Sequence, residues 1–166
     1  MAAPKYLANI AGKFKEVIAS VTSAANAIVG TDSSGRIDIS MMPVGVAAET
    51  IVCVSSENLA AGAFVNLFLN GGVITARNAD MTTNAKPAHG FVLNAVTSPA
   101  NATVYQLGQV NTAVTGLTIG SNYFLSTVGT LQTAVPNTTG NIVQQIGIAT
   151  LTTAIPTENF PTMEIA

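Results

Sequence analysis

His89 is the single histidine of the chain and therefore the first candidate for proton transfer. A catalytic histidine needs a nucleophile to activate or a carboxylate to orient it, and the nearest ionisable residues in the sequence are Asp80 and Lys86. No Gly-x-Ser-x-Gly, His-Glu-x-x-His or Gly-x-x-x-x-Gly-Lys-Ser/Thr motif is present to indicate hydrolase, zinc protease or nucleotide chemistry. We therefore predict that His89 occupies a turn or an interface, and that the protein is not an enzyme.

Candidate metal ligands are equally sparse. Cys53 has no second cysteine to pair with, and its β-branched neighbours predict a small apolar side chain on a strand. Asp32 and Asp38 flank a Ser-Ser-Gly turn, but no glutamate stands where a calcium loop needs its bidentate ligand. We predict that Asp32 is a turn former, and that the protein uses no metal or cofactor.

The charge pattern predicts an assembly protein. Charged residues make up 8% of the chain, against about 25% in an average domain, and residues 87–157 contain no Lys, Arg, Asp or Glu. Six scattered basic residues and a net charge of −2 cannot form a phosphate-binding surface, so we expect no nucleic-acid partner. Neutral surface is commonly covered by other protein chains.

No segment has the composition of a membrane span or a secretory signal. The mean hydropathy is +0.46, but the longest apolar stretches, at residues 60–69 and 142–151, are interrupted by Gly, Asn or Gln. Both are far shorter than the roughly 20 apolar residues that a helical span requires. Residues 1–23 carry scattered charges and no continuous apolar core, so we expect cytoplasmic synthesis and no membrane partner.

A compositional border near residue 46 predicts two parts, an N-terminal arm at residues 1–46 and a β-domain at residues 47–166. Within the arm, two β-branched runs flank the Asp-Ser-Ser-Gly turn, which predicts a hairpin over residues 28–39. Such a hairpin is marginal alone, so we expect the arm to be extended and to pack against another partner or the β-domain.

The β-domain is predicted to be all-β, either a compact barrel or a sandwich. Strand-like runs and turn residues alternate every 8 to 12 positions, and helix periodicity is absent. The predicted strands are residues 50–55, 64–70, 73–78, 90–97, 102–114, 123–127, 130–133, 141–151 and 163–165.

A weak internal sequence repeat predicts a duplication. Leu59, Gly62, Leu67, Gly71 and Thr75 recur 58 positions later as Leu117, Gly120, Leu125, Gly129 and Thr133. A Gly-led strand follows each copy, at Gly90 and Gly147. We interpret the copies as two halves of one barrel that closes on itself and so removes exposed edges; chance similarity between turn-rich sequences is the alternative.

Two stretches resemble capsid decoration (cement) proteins of tailed bacteriophages. Residues 28–45, Ile-Val-Gly-Thr-Asp-Ser-Ser-Gly-Arg-Ile-Asp-Ile-Ser-Met-Met-Pro-Val-Gly, resemble the N-terminal segment of those proteins. A second pattern is similar to their β-domain and comprises Val114-Thr115-Gly116-Leu117, Tyr123-x-Leu125-Ser126 and Val143-x-x-Ile146-Gly147-x-Ala149. The resemblance covers about residues 17–165.

The resemblance implies a structural virion protein on the capsid exterior. Its partners would be the major capsid protein, whose neighbouring subunits it bridges, and further copies of itself, as in a homotrimer. We expect the arm to supply the capsid or protomer interface through Lys5, Tyr6, Phe14, Arg36, Met41, Met42 and Pro43. The alternative for Phe14, Met41 and Met42 is burial in the β-domain core, and for Arg36 it is a solvated turn position.

A tail-fibre or receptor-binding β-module is the alternative function. Such a module would bind host glycans through exposed loops, and aromatic residues commonly stack on sugars. Aromatic residues make up 5% of this chain and tryptophan is absent, which favours decoration. An enzyme of unknown type is the third hypothesis, and the small inventory of ionisable residues disfavours it.

Overall fold

The computed structural model describes residues 5–10, 12–22, 28–33, 35–38, 41–42 and 48–166. The chain divides into two compact units, Met1–Ala47 and Ala48–Ala166. No α-helix occurs among the described residues, which confirms the predicted all-β class. Those residues form fifteen strands: β1 (Lys5–Ile10), β2 (Lys13–Ser20), β3 (Ile28–Val29), β4 (Thr50–Ser55), β5 (Phe64–Asn70), β6 (Val73–Asn78), β7 (Gly90–Phe91), β8 (Asn101–Gln106), β9 (Val110–Asn111), β10 (Asn122–Leu125), β11 (Leu131–Gln132), β12 (Ile142–Val143), β13 (Gln145–Ile148), β14 (Ile155–Pro156) and β15 (Met163–Glu164).

The first unit contains a three-stranded sheet in the order β1-β2-β3. Strands β1 and β2 form an antiparallel hairpin, and β3 continues the sheet by pairing in parallel with the end of β2, where Ala19 faces Ile28. The predicted turn at Asp32 is present, because the Gly35 N–H donates to the Asp32 carbonyl at 3.0 Å.

The strand pairing around that turn differs from the predicted hairpin. Residues 36–38 form no strand, and residue 39 lies outside the described residues. Ile28 and Val29 pair with β2 instead, because β2 offers an already extended edge whose backbone groups need partners. The hairpin of the arm is therefore formed by β1 and β2.

The second unit is built on a closed five-stranded barrel, which settles the choice between barrel and sandwich. Its strand order is β4-β6-β5-β7-β8, with β8 pairing back to β4. All pairs are antiparallel except β4 with β6. Strands β4, β5 and β6 have the bounds that alternation in the sequence predicts. The long predicted strand at residues 102–114 instead divides at Gly108, whose φ of +104° suits glycine and breaks the extended backbone.

Two apolar cores lie on opposite sides of the barrel wall. Val65 on β5 belongs to the core inside the barrel, together with Val92 and Val104. Its neighbour Phe64 belongs to the second core, together with Phe91 on β7. Because successive strand residues point to opposite faces, β5 contributes to both cores, and so do Phe91 at the end of β7 and Val92 directly after it.

The strand orders support the duplication, but the closed barrel is formed by one copy alone. In residues 50–106, which we call repeat one, the sheet order β6-β5-β7 is matched in residues 110–156, repeat two, by β11-β10-β13. The pair Val65 with Gly90 in repeat one corresponds to Tyr123 with Gly147 in repeat two.

Hydrogen bonds repeat as well. The Gly62 N–H donates to the Val92 carbonyl at 2.8 Å, and the Gly120 N–H donates to the Ala149 carbonyl at 2.9 Å. The prediction of two half-barrels that close on one another was therefore wrong. Repeat one supplies all five barrel strands itself, because β4 and β8 pair over five residues and complete the ring locally.

Candidate interaction surfaces

Titratable side chains do not converge on a chemical centre within the described residues. No group of three or more His, Cys, Asp or Glu side chains is placed there to hold a metal ion. In the same part of the chain, no helix combines the length and the apolar character needed to cross a membrane.

His89 serves as a hydrogen-bond acceptor next to β7. Its Nδ1 accepts the backbone N–H of Leu67 at 3.0 Å. Although the residue is exposed, partial burial of the ring, followed by the charge of Arg77, lowers the pKa of His89. An acceptor nitrogen must be unprotonated, so both the geometry and the pKa favour the neutral imidazole in a structural role.

A buried amide fixes the segment that carries His89. Asn66 donates from Nδ2 to the Pro87 carbonyl at 2.8 Å and accepts from Arg77 Nε at 2.9 Å. Arg77 also donates to the Ala85 carbonyl at 2.8 Å and lies 4.2 Å from the ring centroid of Phe68. Through these contacts the Arg77 guanidinium holds the loop that contains Ala85 and Pro87.

Asp80 ties the two repeats together. Its Oδ1 accepts from the N–H and the hydroxyl of Thr82 at 2.9 and 2.7 Å, and its Oδ2 accepts from the Val128 N–H at 3.3 Å. Burial raises the pKa of Asp80, but these donors and the nearby charge of Lys86 outweigh burial and lower it overall. The carboxylate is thus occupied in joining loop to loop.

Cys53 has the predicted role of a small apolar strand residue. It is buried on β4 and belongs to the core inside the barrel. Burial raises the pKa of its thiol, which disfavours the reactive thiolate.

The predicted interface residues of the arm lie on separate elements. Lys5 and Tyr6 are on β1, opposite Ile18 and Val17, and Phe14 is on β2, opposite Asn9. The residue pairs of Lys5 and Phe14 stand near opposite ends of this ladder. The strand pairing therefore separates Phe14 from Lys5 and Tyr6 along the ladder.

The remaining predicted interface residues follow the turn. Arg36 is exposed, and its N–H donates to Asp32 Oδ1 at 2.9 Å, which confirms Asp32 as a turn former. Met41 is half-buried and its N–H donates to the Asp38 carbonyl at 3.0 Å, while Met42 is 40% exposed. Pro43 lies outside the described residues.

Sequence reasoning missed an apolar surface at the end of the β5–β6 hairpin. Leu69 is 67% exposed and Val73 is 60% exposed, and Ile74 beside them is exposed too. These side chains are exposed because the β5–β6 hairpin extends beyond the neighbouring strands β4 and β7. The alternation of apolar and polar residues in the sequence does not show how far a hairpin extends. Strand β4 pairs with β6 only at Thr75 and Ala76, and β7 pairs only with the first two residues of β5, Phe64 and Val65.

A groove of about 280 Å³ runs between the repeats. Its walls are mainly small and apolar, with Ala61, Val114 and Leu131 among them. Val128 at its margin has a φ of +51°, a backbone conformation that is unusual for a β-branched residue, and its side chain is exposed.

Comparison with known proteins gives one distant likeness. No protein family matches the chain, and no curated protein matches it. A solved structure entitled "The crystal structure of head fiber gp8.5 N base in bacteriophage phi29" aligns with a TM-score of 0.43 and 14% sequence identity. The alignment covers 72% of this chain and 95% of that one. A likeness of this size does not carry function from one protein to the other.

Proposed function

We propose that this protein decorates and stabilises the outer surface of a tailed-bacteriophage capsid by bridging major capsid subunits. The observation that carries the proposal is a β unit with a charge-free stretch at residues 87–157 and with exposed apolar side chains on its strands, such as Val52, Val110 and Ile148. Such a unit is suited to packing against protein, because burying neutral surface carries no cost of desolvating charge. The sequence resemblance of residues 28–45 and of the β-domain to decoration proteins supports the same function.

The proposed function requires no catalysed reaction. When several copies are joined in one oligomer, the oligomer contacts the shell at several points at once, so weak individual contacts give strong overall attachment. In this proposal the arm makes the contact to capsid or sister protomers, through the residues already named, and the barrel supplies a rigid body. A homotrimer would multiply the contacts at each position.

The direct test is binding of the purified protein to expanded, undecorated heads. Occupancy is read by cryo-electron microscopy and shell strength by thermal disruption. Saturable, symmetric occupancy with a higher disruption temperature is the expected result. Bare heads at saturating protein would overturn the decoration function.

Met42 offers a point test of the arm as the interface. We expect Met42→Ser to weaken head binding about tenfold, which corresponds to loss of about 1.4 kcal/mol from one apolar contact. Met163→Ser is the matched control, because Met163 is also exposed but lies on β15 in the other unit. Equal weakening by both variants would contradict a specific role for the arm.

One observation favours the alternative of a receptor-binding module. A polar groove of about 240 Å³ is lined by Asn94, Asn101, Thr103 and Tyr105, and the Tyr105 ring stacks on Phe91 with centroids 5.7 Å apart. Amide and hydroxyl groups beside an aromatic ring are suited to a sugar. Binding to host cells or to a glycan array that is lost in Asn101→Ala, together with bare heads, would favour this alternative.

A further inference from the structure

Asn70 and Gly71 form the single Asn-Gly step of the chain. Asn70 is the last residue of β5, and Gly71 and Gly72 make the turn that leads to Val73 at the start of β6. Both glycines have positive φ, +58° and +86°, as a two-residue hairpin turn of the primed type requires. In an Asn-Gly step, the side-chain amide carbon can reach the backbone nitrogen of the glycine and react with it.

The two groups that would react are both accessible. Asn70 and Gly71 are exposed, and the Asn70 side chain has no hydrogen-bond partner within the part of the chain that the structure describes. Among the same residues, no backbone carbonyl accepts the Gly71 N–H. The ladder pairs Asn70 with Val73 and leaves the first turn residue outside it. The Gly71 nitrogen therefore gives up no such hydrogen bond when it reacts.

The space around the turn is open as well. A Cβ at Gly71 or at Gly72 would meet no atom within 4 Å. Glycine has no Cβ of its own, so no side chain at position 71 shields the backbone nitrogen from the Asn70 amide carbon. The geometry of the turn leaves the approach between these two atoms unobstructed by neighbouring strands.

The end of the hairpin can open without disturbing the barrel. A bond between the Asn70 amide carbon and the next nitrogen requires Asn70 to rotate out of the extended backbone, which breaks its pair with Val73. That pair is the last of the β5–β6 ladder. The pairing of β4 begins at Thr75 and that of β7 ends at Val65, so neither strand holds the pair closed. Local opening at such a position costs little free energy.

From these observations we infer that Asn70 is a site of spontaneous deamidation in the folded protein, with water as the co-reactant. Base removes the Gly71 amide proton, and the nitrogen attacks Cγ of Asn70. The new N–Cγ bond closes a five-membered imide, the Cγ–Nδ2 bond breaks, and ammonia leaves with the proton lost by Gly71 in the net balance. Water then opens the imide. Cleavage of the N–Cγ bond gives aspartate, and cleavage of the original peptide bond gives isoaspartate.

Deamidation changes the character of an apolar surface. Leu69 and Val73 on either side of the turn are mostly exposed, and residues 58–76 contain no charged residue. The product places a carboxylate between them and makes the formal net charge, −2 in the unmodified chain, one unit more negative. Isoaspartate also adds one carbon to the backbone at the last pair of the ladder. The hairpin end thus gains a charge as the protein ages.

The test is incubation of the full-length folded protein at mildly alkaline pH, followed by peptide mass spectrometry. Asn101 is the reference within the same chain, because it is exposed on β8 of the same barrel and is followed by Ala102. We expect Asn70 to deamidate at least about tenfold faster than Asn101, which corresponds to a barrier lower by about 1.4 kcal/mol. The product should be a mixture of aspartate and isoaspartate, since direct hydrolysis of the amide gives aspartate alone.

Two variants test the reacting pair. Gly71→Ala places a methyl group beside the attacking nitrogen and should slow deamidation of Asn70 at least about tenfold. Asn70→Gln keeps the glycine turn but would need a six-membered ring, so position 70 should stay unmodified. Circular dichroism and thermal unfolding verify the fold of each variant. If Gly71→Ala is unfolded, Asn70→Gln and the comparison with Asn101 carry the test.

The same measurement in urea shows whether the native hairpin permits the reaction. We expect the rate in the folded protein to lie within about tenfold of the rate in the unfolded chain. Three results would overturn the inference: an intact Asn70 in folded protein while the unfolded chain deamidates, equal rates at Asn70 and Asn101, or position 70 reacting equally fast in a folded variant. The inference does not rest on capsid attachment, so head binding with an intact Asn70 would refute it and leave the decoration function standing.

Discussion

His89 shows how one hydrogen bond can make stability depend on pH. Its neutral Nδ1 accepts from Leu67, and burial and Arg77 lower its pKa below the ordinary value. The unfolded chain therefore binds a proton at a higher pH than the folded chain does. Stability from this group is complete above the unfolded pKa of about 6.5 and decreases as the pH falls below it.

We expect the free energy of unfolding, measured with urea, to decrease between about pH 7.5 and pH 5 for the wild type. His89→Asn retains a side-chain acceptor but does not titrate there, so its stability should change less over this range. Carboxylates titrate mostly below this window. An equally steep dependence in the variant would assign the effect to groups other than His89.

At the scale of elements, two glycines in equivalent hairpins have different structural roles. Gly71 and Gly129 both adopt positive φ, +58° and +69°. A Cβ at Gly71 would meet no atom within 4 Å, but a Cβ at Gly129 would lie 2.6 Å from the Phe64 carbonyl oxygen. The same local conformation is thus required for turn geometry alone in one hairpin, and for turn geometry plus docking in the other.

Alanine substitution at each glycine distinguishes the role in turn geometry from the role in packing. Gly71→Ala should cost about 1–2 kcal/mol, the penalty for a Cβ in the left-handed region. Gly129→Ala should cost at least about 2 kcal/mol more, because the new methyl group must displace the backbone of repeat one. The measurement is chemical unfolding of both variants. Equal losses would mean that Gly129 is not packed closely against the Phe64 backbone.

The strand bounds show how far prediction from sequence reaches at this scale. The bounds of β4, β5 and β6 follow from alternation between turn residues. Strand β14 was missed, because Ile155 is followed by Pro156, and proline weakens a strand prediction. The predicted strand at residues 90–97 ends after Phe91, since the following residues pair with the Leu59 region instead of extending the ladder.

In the second unit, the two repeats share the second apolar core, which lies outside the barrel. Phe64 and Phe91 of repeat one pack with Leu125 and Ile146 of repeat two. The buried Gln144 side chain adds two hydrogen bonds to the Ala88 backbone, at 2.7 and 2.9 Å. Neither repeat can open without exposing this shared core.

We therefore expect the two repeats to unfold together. Phe91→Ala should lower the free energy of unfolding by about 3–5 kcal/mol, and amide hydrogen exchange should show the same loss in peptides from both repeats. Phe68→Ala, which changes a half-buried ring on the same barrel, should cost less. Loss of protection in repeat one alone would show that the repeats are energetically separate.

The sequence by itself determined the all-β class, the positions of the principal turns and the structural roles of Cys53 and Asp32, and it predicted a duplication that the matching strand orders support. These features depend on local chemistry: strand alternation, turn-forming residues and glycine at positive φ. The predicted arm residues and the capsid partner rest on sequence resemblance and stay predictions.

Only the tertiary structure decided that repeat one closes its own barrel, and that Gly129 is buried while the equivalent Gly71 is exposed. Barrel closure depends on β4 pairing with β6 and β8, and similar strands offer many such pairings that differ little in local sequence. Gly71 and Gly129 occupy matching turns of the two repeats, but only Gly129 lies against the backbone of another strand, at Phe64. Burial of this kind is set by contacts between distant residues, which no local pattern encodes.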